Sequence, residues 1–195
     1  MDLSPALAPC KTYTFKRRPT YSVYFSDIGK RLDGSDKFEL YEEERLIAAI
    51  ATSESEAVAK VIGEEHTYSL DQYRFRHHFR TLKFRDETGR EVGYTERRTH
   101  FLGPDSYHVH SCWRAHPFDL LRLKRDERRA LGAGVAYAWT MNGELQCRLR
   151  SGPYSFWEAS DADKEMTGIL ECFAALRPIE LLLLLRSFQL HITPR

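Results

Sequence analysis

A cluster of metal-ligating residue types lies on one predicted strand near residue 110. His108, His110 and Cys112 follow one another at intervals of two residues, and side chains at that interval share one face of a strand. Imidazole nitrogens and a thiolate are ligands that Zn²⁺ or Cu²⁺ accepts. Further histidines that could supply a fourth ligand are His77, His78 and His100. One hypothesis is therefore a metal-dependent enzyme, and the alternative is a solvated strand face with Cys112 at its buried end.

A second candidate site consists of arginines that alternate with other residues between positions 73 and 98. Read as one strand followed by a hairpin, this stretch places three arginines on one face and returns two more on the partner strand. The five residues are Arg74, Arg76, Arg80, Arg97 and Arg98. Guanidinium groups suit phosphate oxygens, so the candidate partners are a phosphoinositide head group, an anionic membrane surface and a nucleic-acid backbone.

The charge balance bears on both candidates. The net charge is +1, which argues against a dedicated nucleic-acid binder. Residues 33–71 hold eleven acids and three bases, whereas residues 72–100 hold eight bases and four acids. An alternative to anion binding is that the arginines are neutralised by Glu42–Glu44 and neighbouring acids. A second basic run, Arg122–Arg129, is most simply a charged turn.

Composition predicts a single globular domain in a chain of 195 residues, of which 42% are hydrophobic. Residues 1–10 are expected to be a loose leader that lacks the features of a signal peptide. No apolar run is long enough for a transmembrane helix, so we expect a cytoplasmic protein, with peripheral membrane contact as an option. The four cysteines form no CxxC motif and fit free thiols, although pairing stays open. No catalytic sequence motif is present, which favours a binding module over an enzyme.

Alternating apolar and polar residues predict about ten antiparallel strands, with hairpin turns at Asp86–Gly89 and Asn142–Gly143. From residue 161 the apolar spacing becomes helical, and five consecutive leucines follow Pro178. We therefore expect a C-terminal helix at about residues 161–190, with a core strand as the alternative for Ile179–Leu190. The predicted fold class is mainly β (α+β): residues 11–195 form an antiparallel barrel or strongly curled sheet with a buried hydrophobic C-terminal helix.

The hairpin at residues 82–94, of the form strand, Asp-x-x-Gly, strand, resembles a recurring unit of the tubby C-terminal-like superfamily. That group includes the LURP-one-related and phospholipid-scramblase-like proteins. A fainter echo lies at residues 38–48, and residues 164–185 resemble the terminal helix of the superfamily. The resemblance implies a barrel of about twelve strands around a hydrophobic helix, and phosphoinositide binding. No head-group residue of the superfamily is matched by this sequence.

The sequence thus favours a non-enzymatic binding module for anionic lipid head groups or membrane surface, with the basic strand face as its site. Two alternatives stay open: an internal-pocket protein that binds an apolar ligand, and a metal-dependent enzyme using His108, His110 and Cys112. No cofactor is expected apart from Zn²⁺ under the metal hypothesis. Nucleic acid is not an expected partner, and a protein partner is unspecified.

Overall fold

A computed structural model describes residues 8–19, 22–25, 30–33, 36–52, 57–64, 67–74, 80–100, 103–133, 135–151 and 166–192. The strands in these ranges are β1 (Lys11–Pro19), β2 (Ser22–Phe25), β3 (Lys30–Asp33), β4 (Asp36–Glu42), β5 (Arg45–Thr52), β6 (Ala57–Val61), β7 (Thr67–Arg74), β8 (Arg80–Arg85), β9 (Glu91–His100), β10 (Gly103–Ser111), β11 (Phe118–Arg122), β12 (Val135–Met141), β13 (Glu144–Ser151) and β14 (Met166–Cys172). The helices are α1 (Arg125–Ala130) and α2 (Pro178–Ile192).

Twelve of these strands close into one antiparallel barrel, while β2 and β3 pair with each other as a separate ribbon. β4 to β14 follow one another around the barrel in chain order, and β1 closes it by pairing with both β4 and β14. In this closure Phe15 is the register partner of Leu40 on one side and of Gly168 on the other. A closed barrel leaves none of these strands with an unpaired edge. The predicted fold class is confirmed in its barrel form.

Because consecutive barrel strands are antiparallel, their connections alternate between the two ends of the barrel. We call one end the hairpin rim, since it holds the tight turns at residues 43–44, 62–63, 87–88, 112–113 and 142–143. Asn142 and Gly143 both have positive φ, as a two-residue hairpin turn requires. We call the other end the arginine rim; it is where Arg74, Arg80, Arg97 and Arg98 lie.

Helix α2 occupies the interior of the barrel. Leu181 to Leu185 and Phe188 have no solvent exposure, and the Phe188 ring meets the Tyr137 ring edge-on at a centroid distance of 5.0 Å. The Trp139 Nε1–H donates to Ser187 Oγ at 3.1 Å. An apolar surface on every side of a helix is expected when strands surround it. The buried C-terminal helix is thus confirmed, and Ile179–Leu190 is helical.

The start of that helix differs from the prediction. The sequence predicted a helix from about residue 161, but Met166–Cys172 is strand β14 and α2 begins at Pro178. Gly168, Leu170 and Cys172 are buried between the neighbouring strands β1 and β13. The helical spacing of the apolar residues was overridden because this segment has a hydrogen-bonding strand on each side. Residues 161–165 and leader residues 1–7 lie outside the described residues.

The strand predicted to run through residues 73–80 is also wrong. β7 ends at Arg74 and β8 begins at Arg80. The two strands pair antiparallel, and Arg74 and Arg80 are register partners at their ends. The arginines assigned to one strand face therefore belong to two strands. Arg76 lies outside the described residues.

Candidate functional site: an arginine rim and a polar outer face

The register places four arginines at one end of three adjacent strands. Arg74 of β7 faces Arg80 of β8. Leu82 of β8 is the register partner of Thr95 of β9. Arg80 and Arg97 each lie two residues closer to the rim than these partners. The two arginines are therefore at equal height along the barrel axis. Backbone pairing thus brings to one rim arginine positions that are up to 24 residues apart in the sequence.

Arg97 and Arg98 lie on opposite faces of β9, so the five arginines do not form one stripe. Arg97 shares the lumen-facing side with Thr95, and its guanidinium lies 5.7 Å from the centroid of the Tyr107 ring. Arg98 is on the outer side, where its Nε and Nη2 donate to the two carboxylate oxygens of Glu96 at 3.1 Å each. The outer arginine is therefore balanced by an acid of its own strand.

The second basic run reaches the same rim. β11 ends at Arg122, and the connection to β12 carries the short helix α1 with Arg125, Arg128 and Arg129. In this connection Glu127 is used as a cap, because its Oε2 accepts from the backbone N–H of Lys124 at 2.6 Å. From the sequence alone, this run was interpreted as a charged turn. Its location at the same end of the barrel as the other arginines follows only from the number of strands between them.

The acidic run Glu42–Glu44 lies at the opposite end of the barrel. It forms the hairpin turn between β4 and β5, and Glu42 makes an ion pair with Lys11 at 2.5 Å. These three acids are therefore too far from the rim arginines to neutralise them. Glu96 is a described acid that does pair with a rim arginine, Arg98.

The outer face of β9 to β11 carries the two histidines of the metal hypothesis. The His108 Nδ1 lies 2.7 Å from Asp119 Oδ1, and the His108 Nε2 lies 2.9 Å from Ser106 Oγ. The His110 ring stacks on Tyr94 at a centroid distance of 4.1 Å, and its Nε2 is 3.4 Å from Glu96 Oε2. Each histidine thus has its own carboxylate partner.

Cys112 does not join them. It follows the end of β10 in the turn at residues 112–113, and partial burial raises the pKa of its thiol above the ordinary value of 9.0. A raised pKa disfavours the thiolate that a metal requires. Within the part of the chain that the structure describes, no group of three or more His, Cys, Asp or Glu residues is placed to hold a metal ion. All four cysteines are free thiols.

The interior-pocket alternative requires free space inside the barrel, but the described residues around α2 are closely packed. Gly93 of β9 sits so close to α2 that an added Cβ would lie 2.7 Å from Leu183 Cδ1 and 2.6 Å from the His110 carbonyl oxygen. On the described strands the interior side is lined by fully buried residues such as Phe15, Phe84 and Trp139. An apolar ligand would therefore have to displace side chains that already pack against α2.

At the hairpin rim, a buried carboxylate that the sequence did not single out holds the start of α2. Glu180 Oε1 accepts from Ser111 Oγ at 2.9 Å and from Arg114 Nε at 2.8 Å, and Oε2 accepts from Arg114 Nη2 and the Arg177 N–H at 2.9 Å each. Burial alone would raise the pKa of this fully buried carboxyl. The hydrogen bonds outweigh burial and lower the pKa below 4.5. A Glu two residues after a first-turn Pro is the sequence signal for such a cap.

No protein-family model, curated protein or solved structure matches this chain. Neither described helix has the length and apolar content needed to cross a bilayer.

Proposed function

We propose that this protein is a binding module for anionic lipid head groups at a membrane surface, and that the arginine rim contacts the head group. The observation that carries the proposal is the placement of both basic runs at one end of the barrel. Arg74, Arg80 and Arg97 come from three neighbouring strands. The α1 connection supplies further arginines at the same rim.

The register of Arg74 and Arg80 favours an anionic partner on physical grounds. Like charges at directly opposed positions of neighbouring strands destabilise a sheet, and a bound anion removes that repulsion. Guanidinium groups bind phosphate through two parallel hydrogen bonds. A phosphoinositide carries several phosphate groups on one ring, so it can engage arginines that come from different strands at once.

The resemblance to the tubby C-terminal-like superfamily is part of the proposal. A twelve-stranded closed barrel around an apolar C-terminal helix is the architecture that the resemblance implies. This agreement supports a lipid phosphate over a nucleic-acid phosphate. The near-zero net charge of the chain supports the same choice, since nucleic-acid binders usually carry a large basic excess.

Liposome co-sedimentation tests the proposal. We expect the protein to pellet with phosphatidylcholine vesicles that contain phosphoinositide, less so at physiological salt than at low salt, and not with phosphatidylcholine alone. The variant Arg74→Glu/Arg80→Glu should lose most of this binding. Its matched control is Arg45→Glu, which reverses one exposed charge at the hairpin rim and should bind like the parent.

Three results would contradict the proposal. Equal pelleting with neutral vesicles would indicate an apolar membrane contact. Equal losses in Arg45→Glu and in the double variant would indicate attraction to overall charge. An absence of pelleting at low salt would remove lipid surfaces as the ligand.

A further inference from the structure

We propose that Ser106, His108 and Asp119 form a nucleophilic site on the outer face of the barrel that transfers acyl groups from small carboxylic esters. The three side chains form a continuous hydrogen-bonded chain. Ser106 Oγ is 2.9 Å from His108 Nε2, and His108 Nδ1 is 2.7 Å from Asp119 Oδ1. A nucleophile within reach of a base, with the base oriented by a third group, is the arrangement that activates a serine hydroxyl.

Strand geometry fixes this arrangement. Ser106 and His108 are two residues apart on β10 and share its outer face, and Asp119 of β11 is the register partner of His108. The ladder between β9 and β10 is irregular between Gly103 and Ser106. Such irregularities re-aim side chains and are frequent beside active sites. The His108 side chain is only 16% exposed, which restricts the ring to few orientations.

The carboxylate of Asp119 decides which nitrogen of His108 carries the proton. An ionised carboxylate is only an acceptor, so the short contact with Asp119 places the hydrogen on Nδ1. The lone pair of Nε2 then faces Ser106 Oγ and can accept the hydroxyl proton. Asp119 is a positioning residue in this proposal, and Ser106 and His108 are the catalytic residues.

Arg98 supplies positive charge beside the nucleophile. It is the register partner of Ser106 across the β9–β10 ladder and lies on the same outer face. Its guanidinium is held in orientation by the two hydrogen bonds to Glu96. Because Glu96 balances its charge, Arg98 can stabilise the oxyanion that forms from the ester carbonyl only through a guanidinium N–H that Glu96 does not bind.

The reaction balances with water as the only co-reactant. Ser106 Oγ forms a bond to the ester carbonyl carbon as its proton moves to His108 Nε2. The bond between that carbon and the alcohol oxygen then breaks, and the departing alcohol takes the proton from His108. Water adds to the acyl-serine in the same manner, with His108 accepting and returning its proton, and the acid is released. Because the site lies on an open sheet face, it suits a small ester rather than a long enclosed chain.

The experiment uses the full chain with two probes, p-nitrophenyl acetate and a fluorophosphonate that labels activated serines. We expect labelling of one serine, located at Ser106 by peptide mass spectrometry. Ser106→Ala should abolish labelling and lower the hydrolysis rate about 100-fold or more, within the range for losing acid–base-assisted attack. The matched control is Ser69→Ala, which removes an exposed serine of β7 and should leave both readouts unchanged.

The orienting role of Asp119 has its own readout. Asp119→Asn should reduce the labelling rate, because an amide can hold the wrong tautomer of His108, and Asp119→Glu should restore part of it. Circular dichroism is the control that checks whether each variant is folded. Labelling of folded Ser106→Ala at the parental rate, or labelling of the parent at another residue only, would overturn the proposal. So would a parental hydrolysis rate in His108→Gln.

Discussion

The two rims of the barrel use charge in opposite ways. At the hairpin rim two acids have cationic partners: Glu42 pairs with Lys11, and Glu180 binds Arg114 together with Ser111 and the N-terminus of α2. At the arginine rim, like charges from separate strands are placed side by side, as with Arg74 and Arg80. The hairpin rim therefore stabilises the fold, whereas the arginine rim concentrates a charge that a ligand can use.

The two rims also differ in how their charged residues are brought together. At the hairpin rim Asp86 is balanced within its own turn, because its Oδ1 accepts from the backbone N–H groups of Thr88 and Arg90 at 3.0 Å each. Glu42 and Glu180 at the same rim pair with cations that are distant in sequence, Lys11 and Arg114. At the arginine rim, strand register makes two residues of the same charge type, Arg74 and Arg80, partners of each other.

The largest effect on this contrast is expected from Glu180→Gln. Loss of the carboxylate leaves Arg114 without its ionic partner and weakens the cap of α2. We expect a loss of about 3 kcal/mol in the free energy of unfolding, the lower end of the range for breaking a buried ion pair, because Arg114 retains access to water. Urea unfolding at pH 7 measures it, with Glu144→Gln, an exposed site at the same rim, as the control. Equal stability of the two variants would show that this network does not hold the rim.

Acidification sharpens the same prediction. The pKa of Glu180 is lower in the folded protein than its ordinary value of 4.5. Its contribution is therefore fully present above that value and is lost as the pH falls through the lowered pKa. The difference in stability between the parent and Glu180→Gln should shrink as the pH falls below 4.5. If the stability difference between the two proteins grew on acidification, the pKa of Glu180 would be raised by folding and not lowered.

A second large effect is expected from Gly93→Ala, which tests the packing of α2 between the rims. The added methyl would overlap Leu183 and the His110 carbonyl, and overpacking of this kind lowers stability by about 1–3 kcal/mol. A double-mutant cycle with Leu183→Ala separates the two contacts. We expect the second substitution to relieve part of the first. Strict additivity would mean that Leu183 is not the residue that excludes a side chain at position 93.

A smaller effect of opposite sign is expected at the arginine rim. Arg74→Glu replaces a like-charge pair with an opposite-charge pair, which should raise stability by about 0.2–1 kcal/mol at low salt. The gain should fade at 1 M salt, where charges are screened within about 3 Å. The same variant should bind phosphoinositide vesicles less well. A variant that lost both stability and binding would show that Arg74 is a structural residue.

The smallest effect is expected for Lys11→Gln at the hairpin rim. Its ion pair with Glu42 is nearly half exposed on both sides, and such surface pairs are worth about 0–1 kcal/mol. Thermal unfolding should change by little, and vesicle binding should not change. A loss of binding here would remove the distinction between the rims.

Much of the fold could be predicted from local signals. The turns at Asp86–Gly89 and Asn142–Gly143 are present in the structure, and the apolar segment Ile179–Leu190 is helical. Strand β14 could not be predicted, because its apolar spacing also fits a helix. The end of β7 was missed because the alternation in the sequence continues across residues 75–79, which lie outside the described residues.

The candidate sites divide in the same way. His108 and His110 could be singled out because their residue type is informative by itself. Ser106 and Asp119 could not, since their relation to His108 depends on the register of β10 with its neighbours. The placement of Arg97 and Arg98 on opposite faces follows from strand alternation alone. Their location at the same rim as Arg74 and Arg80 follows from the register of β7, β8 and β9.

The sequence by itself indicated the class of this protein: alternation, turn residues and a mainly apolar C-terminal segment favour strands that close or curl around a helix. These are local properties, set by backbone sterics and hydrophobic periodicity. Only the tertiary structure decided which charges meet. In a closed antiparallel barrel, the end at which a residue lies depends on strand order, and its neighbours depend on register. The arginine rim and the Ser106–His108–Asp119 chain are both products of that pairing.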